Sequence, residues 1–313
     1  MFDWLAVQCR AEQVRTVVIL GDLTDAKDYH SATLVNRVVD ALVELRDSQL
    51  GLNIIVLMGN HDYLLGGHAY LRFLSHIQGI TFVATPTEFM PTDDSPAVLA
   101  LPHTRTPAKD WVDLDTTHFN YIFMHQTVGG AVASNGQKMD GENVPDLTAW
   151  GKVYSGDIHV PQTIKGVEYV GSPYHVHFGD AFVPRCVLID KRRRASDLIF
   201  SDAPKRLALD VETLRELKRS RIHPGDHVSL RMHLERAEKH EWSKVRREAV
   251  AWLEGAGAVV HGVKLVIGAI EARSHAIARD SQPRMTDAEL VERWVRASDL
   301  GADAYETGVE LVR

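Results

Sequence analysis

Residues 54–62 read Ile-Ile-Val-Leu-Met-Gly-Asn-His-Asp, an apolar run that ends in turn-forming and polar residues. The apolar part predicts a buried β-strand. A second run, Thr16 to Leu20, ends in the same way in Gly21-Asp22-Leu23-Thr24-Asp25. Strands that each deliver carboxylate, amide or imidazole groups at their C-terminal ends build a site at the edge of an α/β sheet. Such donors suit a pair of divalent metal ions, with Mn²⁺, Mg²⁺, Fe or Zn²⁺ as candidates, and metal-assisted phosphoester hydrolysis.

Two more strand-end motifs follow along the chain. The apolar run 121–124 is followed by His125, and residues 152–156 lead into Asp157-Ile158-His159. Glycines at 21, 59 and 156 allow tight turns that bring the ligands close together. Taken singly, Asp22 and Asp157 are open to interpretation as turn or helix-capping residues, and His125 as a core histidine. The four motifs in this order favour a metal site.

Two further stretches carry a family resemblance. Residues 156–162 read Gly-Asp-Ile-His-Val-Pro-Gln, and residues 169–173 read Tyr-Val-Gly-Ser-Pro. With the motifs above, they make the chain similar to calcineurin-like metallophosphoesterases. More narrowly, it resembles SbcD-type DNA repair nucleases and the small subunits of bacteriophage recombination endonucleases.

The resemblance implies a fold and a domain layout. We expect an α/β fold, a layered metallophosphoesterase β-sandwich flanked by helices, over residues 1–200. A small α+β capping domain is expected over residues 205–272, and C-terminal helices that dock on an ATPase over residues 286–313. The apolar residues of those last helices are Leu290, Trp294, Val309 and Leu311.

The resemblance also implies site residues and a cofactor. The cofactor is a pair of divalent ions, of which Mn²⁺ is favoured and Mg²⁺ is an alternative. The implied metal ligands are Asp22, Asn60, His125, Asp157 and His159. His61 is expected to act on the phosphate or the leaving oxygen, with Asp62 orienting its imidazole.

The chain departs from the family pattern at two points. Family members begin with a strand that ends in Asp-x-His, whereas residues 1–13 here predict an amphipathic helix, so the chain is expected to start after that strand. Asp157 stands where the family has histidine; aspartate is a harder ligand that favours Mn²⁺ or Mg²⁺. The second metal position has Asp22, Asn60, His125 and Asp157 as ligands, whereas the first lacks the two ligands of the Asp-x-His motif. We therefore expect the second position to bind its ion better than the first. A rival interpretation makes Asp157-Ile158-His159 the Asp-x-His motif of a permuted chain.

The resemblance predicts a metal-dependent DNA exo- or endonuclease subunit that works with an SbcC-like coiled-coil ATPase in repair or recombination. One alternative is an impaired scaffold that only binds the ATPase, which the two departures support. Another is a phosphatase of the same superfamily. A homodimer is a further possibility.

Composition limits these possibilities. The chain has 313 residues, 45% hydrophobic and 25% charged, which is ordinary globular material. The net charge of −7 gives no electrostatic support for free-standing DNA binding. Two cysteines, Cys9 and Cys186, have no metal-site spacing and predict no disulfide. No apolar stretch has transmembrane length and the cysteine usage fits a reducing compartment, so a cytoplasmic protein is expected. The resemblance implies a bacterial protein, for which a phage gene is one possible source.

Two other segments of the sequence allow two interpretations each. The basic run 191–194 predicts a solvated turn, with a phosphate contact as the alternative. His175 and His177 fall on one side of an extended segment and are predicted to be exposed polar residues, with substrate contacts as the alternative. Residues 211–219 and 241–253 predict helices, and residues 226–234 and 259–267 predict strands, in an αβαβ order.

Overall fold

The computed structural model describes residues 1–25, 30–62, 69–90, 96–111, 113–142, 144–147 and 151–267. The α-helices described are α1 (Phe2–Ala11), α2 (Ala32–Asp47), α3 (Pro107–Asp110), α4 (Leu214–Leu217) and α5 (Trp242–Gly255). Two 3₁₀ helices cover Tyr70–His76 and Arg236–Glu241. The strands of the first half are β1 (Thr16–Ile19), β2 (Asn53–Leu57), β3 (Ile80–Val83), β4 (Thr87–Phe89), β5 (Val98–Leu101), β6 (Tyr121–Met124) and β7 (Lys152–Ser155). Those of the second half are β8 (Gln162–Ile164), β9 (Val167–Tyr169), β10 (Cys186–Ile189), β11 (Ala195–Leu198), β12 (Arg206–Val211), β13 (His227–Leu234) and β14 (Val259–Ile267).

Two sheets form the layered part of the fold. The first is parallel with order β1-β2-β3, and the second has six strands in the order β4-β5-β6-β7-β9-β8. Ile55, Leu57 and Val83 of the first sheet share a buried cluster with Ala100 of the second, so the sheets pack against each other. The predicted α/β sandwich is confirmed.

The helices lie on the outer face of the first sheet. Cys9 of α1 and Leu42 and Leu45 of α2 join one core cluster with Ile54 and Val56 of β2. Ser31 caps α2, because its hydroxyl accepts a hydrogen bond from the backbone N–H of Leu34. The amphipathic pattern therefore buries one face of each helix on the sheet.

A third sheet, β12-β13-β14, is parallel and has its own core cluster. The predicted helix over residues 211–219 is confirmed only in its central turn. Residues 206–211 form β12, and the helix is only α4, which Thr213 begins by accepting a hydrogen bond from the Glu216 N–H. Leu207, Leu209 and Val211 alternate with the exposed residues Ala208 and Asp210, which is the pattern of a strand.

The predictions for the basic run, the cysteines and the C-terminal segments can be compared with the structure in the same way. Residues 191–194 form the turn between β10 and β11, where Arg194 pairs with Asp190, in agreement with the solvated turn. Both cysteines are free. The linker at 273–285 and the docking helices at 286–313 lie outside the described residues. No helix in the described ranges is long and apolar enough to span a bilayer.

Candidate metal centre

Three side chains from strand ends converge where the two main sheets meet. Asp22 follows β1, His125 follows β6, and Asp157 follows β7. One potential ligand atom from each lies within 4.8 Å of the other two. The Nε2 atom of His125 is 3.5 Å from Asp22 Oδ2 and 3.7 Å from Asp157 Oδ1. We call these three residues the triad.

His125 is oriented for ligation by its second ring nitrogen. Its Nδ1 lies 2.5 Å from the carbonyl oxygen of Leu20, which can only accept, so Nδ1 carries a proton. Nε2 therefore faces the two carboxylates, as a histidine held by a backbone carbonyl does in metal sites. The side chain is 1% exposed.

The electrostatics of the triad favour a cation. Burial lowers the pKa of His125, but the contact with Asp22 and the charges of Asp22 and Asp157 outweigh it and raise the pKa to about 9. Burial raises the pKa of Asp22, yet His125 and the backbone N–H of His61 bring it below the ordinary value. In the absence of a metal, a proton on His125 partly offsets the carboxylate charge.

The backbone of the triad is held in conformations that few side chains adopt. Asp22 has φ = 52° and Asp157 has φ = 75°, both in the left-handed region. Strained residues of this kind cluster at functional sites. The glycines leave no room for a Cβ: one at Gly21 or Gly156 would press on the His125 ring, and one at Gly59 would overlap the Asp22 carboxylate. The predicted role of these glycines is confirmed.

The Gly-Asn-His-Asp turn is tied to Asp22 by backbone hydrogen bonds. Asp62 is fully buried, and its Oδ2 accepts from the N–H groups of Gly59 (2.8 Å) and Asp22 (2.9 Å). The His61 N–H in turn donates to Asp22 Oδ1 at 2.9 Å. Burial raises the pKa of Asp62 to about 6, against the lowering effect of the Gly59 bond.

The expected role of Asp62 is wrong in this geometry. Its carboxylate does not orient the His61 imidazole, because it is directed at two backbone N–H groups. The His61 Nδ1 lies instead 2.5 Å from the backbone oxygen of Asp25, and the His61 side chain is 31% exposed. Asp62 positions the turn, and His61 faces the open side of it.

The donor set fits a divalent ion. Asn60 Oδ1 and His125 Nε2 are buried and lack a hydrogen-bond partner in the described part of the chain. An unpaired buried polar atom costs roughly 1–3 kcal/mol, and a cation bound at either atom would remove that cost. Two carboxylates, one amide oxygen and one imidazole make an oxygen-rich donor set. Such a set suits Mn²⁺ or Mg²⁺ better than metals that prefer nitrogen or thiolate ligands.

Asp157 and His159 take different positions. The second oxygen of Asp157 accepts a hydrogen bond from the Thr127 hydroxyl, which fixes the orientation of this carboxylate toward the other two members of the triad. His159 lies outside the triad, and its ring centroid is 5.3 Å from that of His177. Burial and the neighbouring His177 lower the pKa of His159.

Sequence reasoning missed two features of the centre. His103 follows β5 at the same edge, 6.1 Å from His125 between ring centroids, and its Nδ1 is buried without a partner in the described ranges. The rule that located the other ligands, a polar residue after an apolar strand, also applies to His103. The prediction that His175 is exposed is wrong, because it is 8% exposed and its Nε2 is 3.0 Å from the Phe182 carbonyl oxygen.

Comparison with known families agrees with this geometry. The sequence model of the calcineurin-like phosphoesterase family matches residues 1–161, which include the whole triad. The chain belongs to this family, and membership implies a metal-dependent phosphoester hydrolase. No curated protein matches the chain.

Proposed function

We propose that the protein is a metal-dependent DNA phosphodiesterase, a nuclease subunit that works with an SbcC-like ATPase in repair or recombination. The observation that supports this most is the motif behind the triad. Residues 156–173, which carry the resemblance to the nuclease subfamily, fold into one unit that holds Asp157 and His159.

The contacts in this unit explain the motif residue by residue. The Ser172 N–H donates to the His159 carbonyl oxygen at 2.9 Å, and a Cβ at Gly171 would overlap Pro161. The Gln162 amide bonds both to the N–H (2.8 Å) and to the carbonyl oxygen (2.7 Å) of Val132. Gly171 and Gln162 are therefore each needed for a specific contact, which supports the narrower resemblance.

The roles of the chain's own residues follow from the geometry. Asp22, Asn60, His125 and Asp157 would hold a divalent ion. Such an ion supplies a Lewis acid that activates water near neutral pH and neutralises phosphate charge. His61 lies on the same turn as Asn60, and its Nδ1 is engaged by Asp25, so its Nε2 is the atom available to a phosphate or leaving oxygen.

A partner is needed for tight DNA binding. The net charge of −7 repels a polyanion, and the cation at the triad offsets only part of it. A basic ATPase subunit would supply the missing attraction, and this is the role that we assign to the SbcC-like partner.

The test compares substrates. With Mn²⁺, and with the ATPase present, the protein should cleave single- and double-stranded DNA and hydrolyse bis(p-nitrophenyl) phosphate, a diester, faster than p-nitrophenyl phosphate, a monoester. Asp157→Ala is the matched inactive control. A preference for the monoester together with intact DNA would identify a phosphatase instead.

A further inference from the structure

We propose that His177 is a metal ligand, and that with His159 it forms an additional metal position beside the triad, selective for ions that prefer imidazole. The resemblance implies His159 as a ligand but gives no role to His177. The inference rests on the proposed function only for the role of a second metal ion in hydrolysis. Binding of the ion by His159 and His177 can be measured without a substrate.

The separation of the two rings is compatible with a shared ion. A metal–nitrogen distance of about 2.1 Å puts each ring centroid about 3.2 Å from the ion. Two such imidazoles at a tetrahedral angle have centroids about 5.2 Å apart. The centroids of His159 and His177 are 5.3 Å apart with an interplanar angle of 38°.

Both rings are available for this. No hydrogen bond joins either imidazole to another residue in the described ranges. In contrast, Nε2 of His175, two residues before His177, is in hydrogen-bond contact with the Phe182 carbonyl oxygen. His159 is half-buried and His177 is exposed, so an ion between them would be reached from solvent. Water would complete the coordination shell.

The segment that carries His177 is fixed by its backbone. Asp180 Oδ2 accepts from the N–H groups of Val176 (2.9 Å) and His177 (2.8 Å). Phe178 packs against the His261 ring at 5.2 Å, with the Arg206 guanidinium over its face at 5.6 Å. The backbone that carries the imidazole is thus held in place before any ion binds, which lowers the entropic cost of ligation.

The donor types predict selectivity. Imidazole suits Zn²⁺, Co²⁺ and Ni²⁺, whereas the oxygen-rich triad suits Mn²⁺ and Mg²⁺. We therefore expect about one tightly bound Mn²⁺ per chain but two Co²⁺, with the weaker Co²⁺ at the histidine pair. His227 and His261 form another close pair, with ring nitrogens 2.6 Å apart, and must be tested as a competing site.

The experiment is a Co²⁺ titration of the full chain, followed by calorimetry and visible absorption. His177→Ala should lose the weaker ion or weaken it by roughly tenfold or more, as the loss of a ligand or its support does. His125→Ala should lose the stronger ion. His76→Ala, which removes an exposed histidine on another surface, and His261→Ala should bind both ions as the native chain does.

Two results would overturn the proposal: two Co²⁺ ions retained in His177→Ala, or loss of the weaker ion in His261→Ala. If His177→Ala retains both ions but cleaves DNA more slowly, His177 is a substrate contact instead. Failure of the native chain to cleave DNA would contradict the proposed function while leaving the Co²⁺ result intact, so the two failures are distinguishable.

Discussion

At the scale of single residues, the centre is built from buried groups whose charge is balanced locally. His125 carries a proton without metal because two carboxylates face it, and that proton occupies the position of the ion. Metal binding must therefore release it. The charge of Asp62, by contrast, is not balanced by a cation, because its buried carboxylate has only neutral backbone N–H groups as hydrogen-bond partners.

The first prediction concerns proton release from His125. Below its pKa of about 9, Mn²⁺ must displace the proton, so affinity should rise with pH up to about 9 and then level off. Calorimetry at pH 7 in buffers of different ionisation enthalpy should show about one proton released per ion. Equal heats in all buffers would mean that His125 is neutral without metal.

The second prediction concerns Asp62 in metal-free protein. Its folded pKa of about 6 lies above the ordinary 3.8, so the charged form weakens folding: the carboxyl's contribution to stability is present below pH 3.8 and lost as the pH rises through 6. Asp62→Asn keeps an acceptor oxygen and removes the charge. It should match the native protein near pH 4 and exceed its free energy of unfolding at pH 8 by up to roughly 3 kcal/mol.

Chemical denaturation at both pH values measures this difference. A variant that is less stable than the native protein by the same amount at pH 4 and pH 8 would show that the charge on Asp62 is not the cause. Asp40→Asn is a control, because Asp40 is an exposed carboxylate on α2.

At the scale of elements, the strands and the turns that follow them set the site. Apolar runs such as 54–58 predicted β1, β2, β6 and β7, and with them Asp22, Asn60, His125 and Asp157, because a buried strand and its polar end are local patterns. β4 and β8 have three residues each and carry too few alternations to detect. The role of Asp62 and the approach of His103 depend on contacts between distant turns, which no local pattern encodes.

The third prediction tests the close approach of these turns. Gly59 has no space for a methyl group, whereas a Cβ at Gly262 of β14 meets nothing within 4 Å. Gly59→Ala should displace Asp22, abolish Mn²⁺ binding and cost roughly 1–3 kcal/mol of stability, as overpacking does. Gly262→Ala should change neither quantity. Retained Mn²⁺ binding in Gly59→Ala would show that the turn can move away from Asp22.

At the scale of the whole molecule, a two-sheet sandwich with the triad at its edge is followed by a third sheet with a separate core. The segment 174–180 connects them, since Phe178 contacts both Arg206 of β12 and His261 of β14. The division into nuclease, capping and docking parts stays a prediction, and the last part lies outside the described residues.

The fourth prediction concerns that docking part. Large apolar anchors dominate protein interfaces, so Trp294→Ala should weaken binding to an SbcC-like ATPase by on the order of 2 kcal/mol or more. Deletion of residues 286–313 should abolish binding in a pull-down, while Mn²⁺ binding at the triad stays unchanged. Full ATPase binding by the deletion variant would contradict the docking role.

The central claim is that the triad and Asn60 hold a divalent ion for phosphodiester hydrolysis while His61 acts on the substrate. It is tested most directly by measuring Mn²⁺ occupancy and DNA cleavage together, with the ATPase present, for Asp22→Ala and His61→Ala. Asp22→Ala should lose both the ion and activity. His61→Ala should keep the ion and lose roughly a hundredfold in rate. Loss of the ion from His61→Ala as severe as from Asp22→Ala, or an unchanged cleavage rate in either variant, would contradict the account.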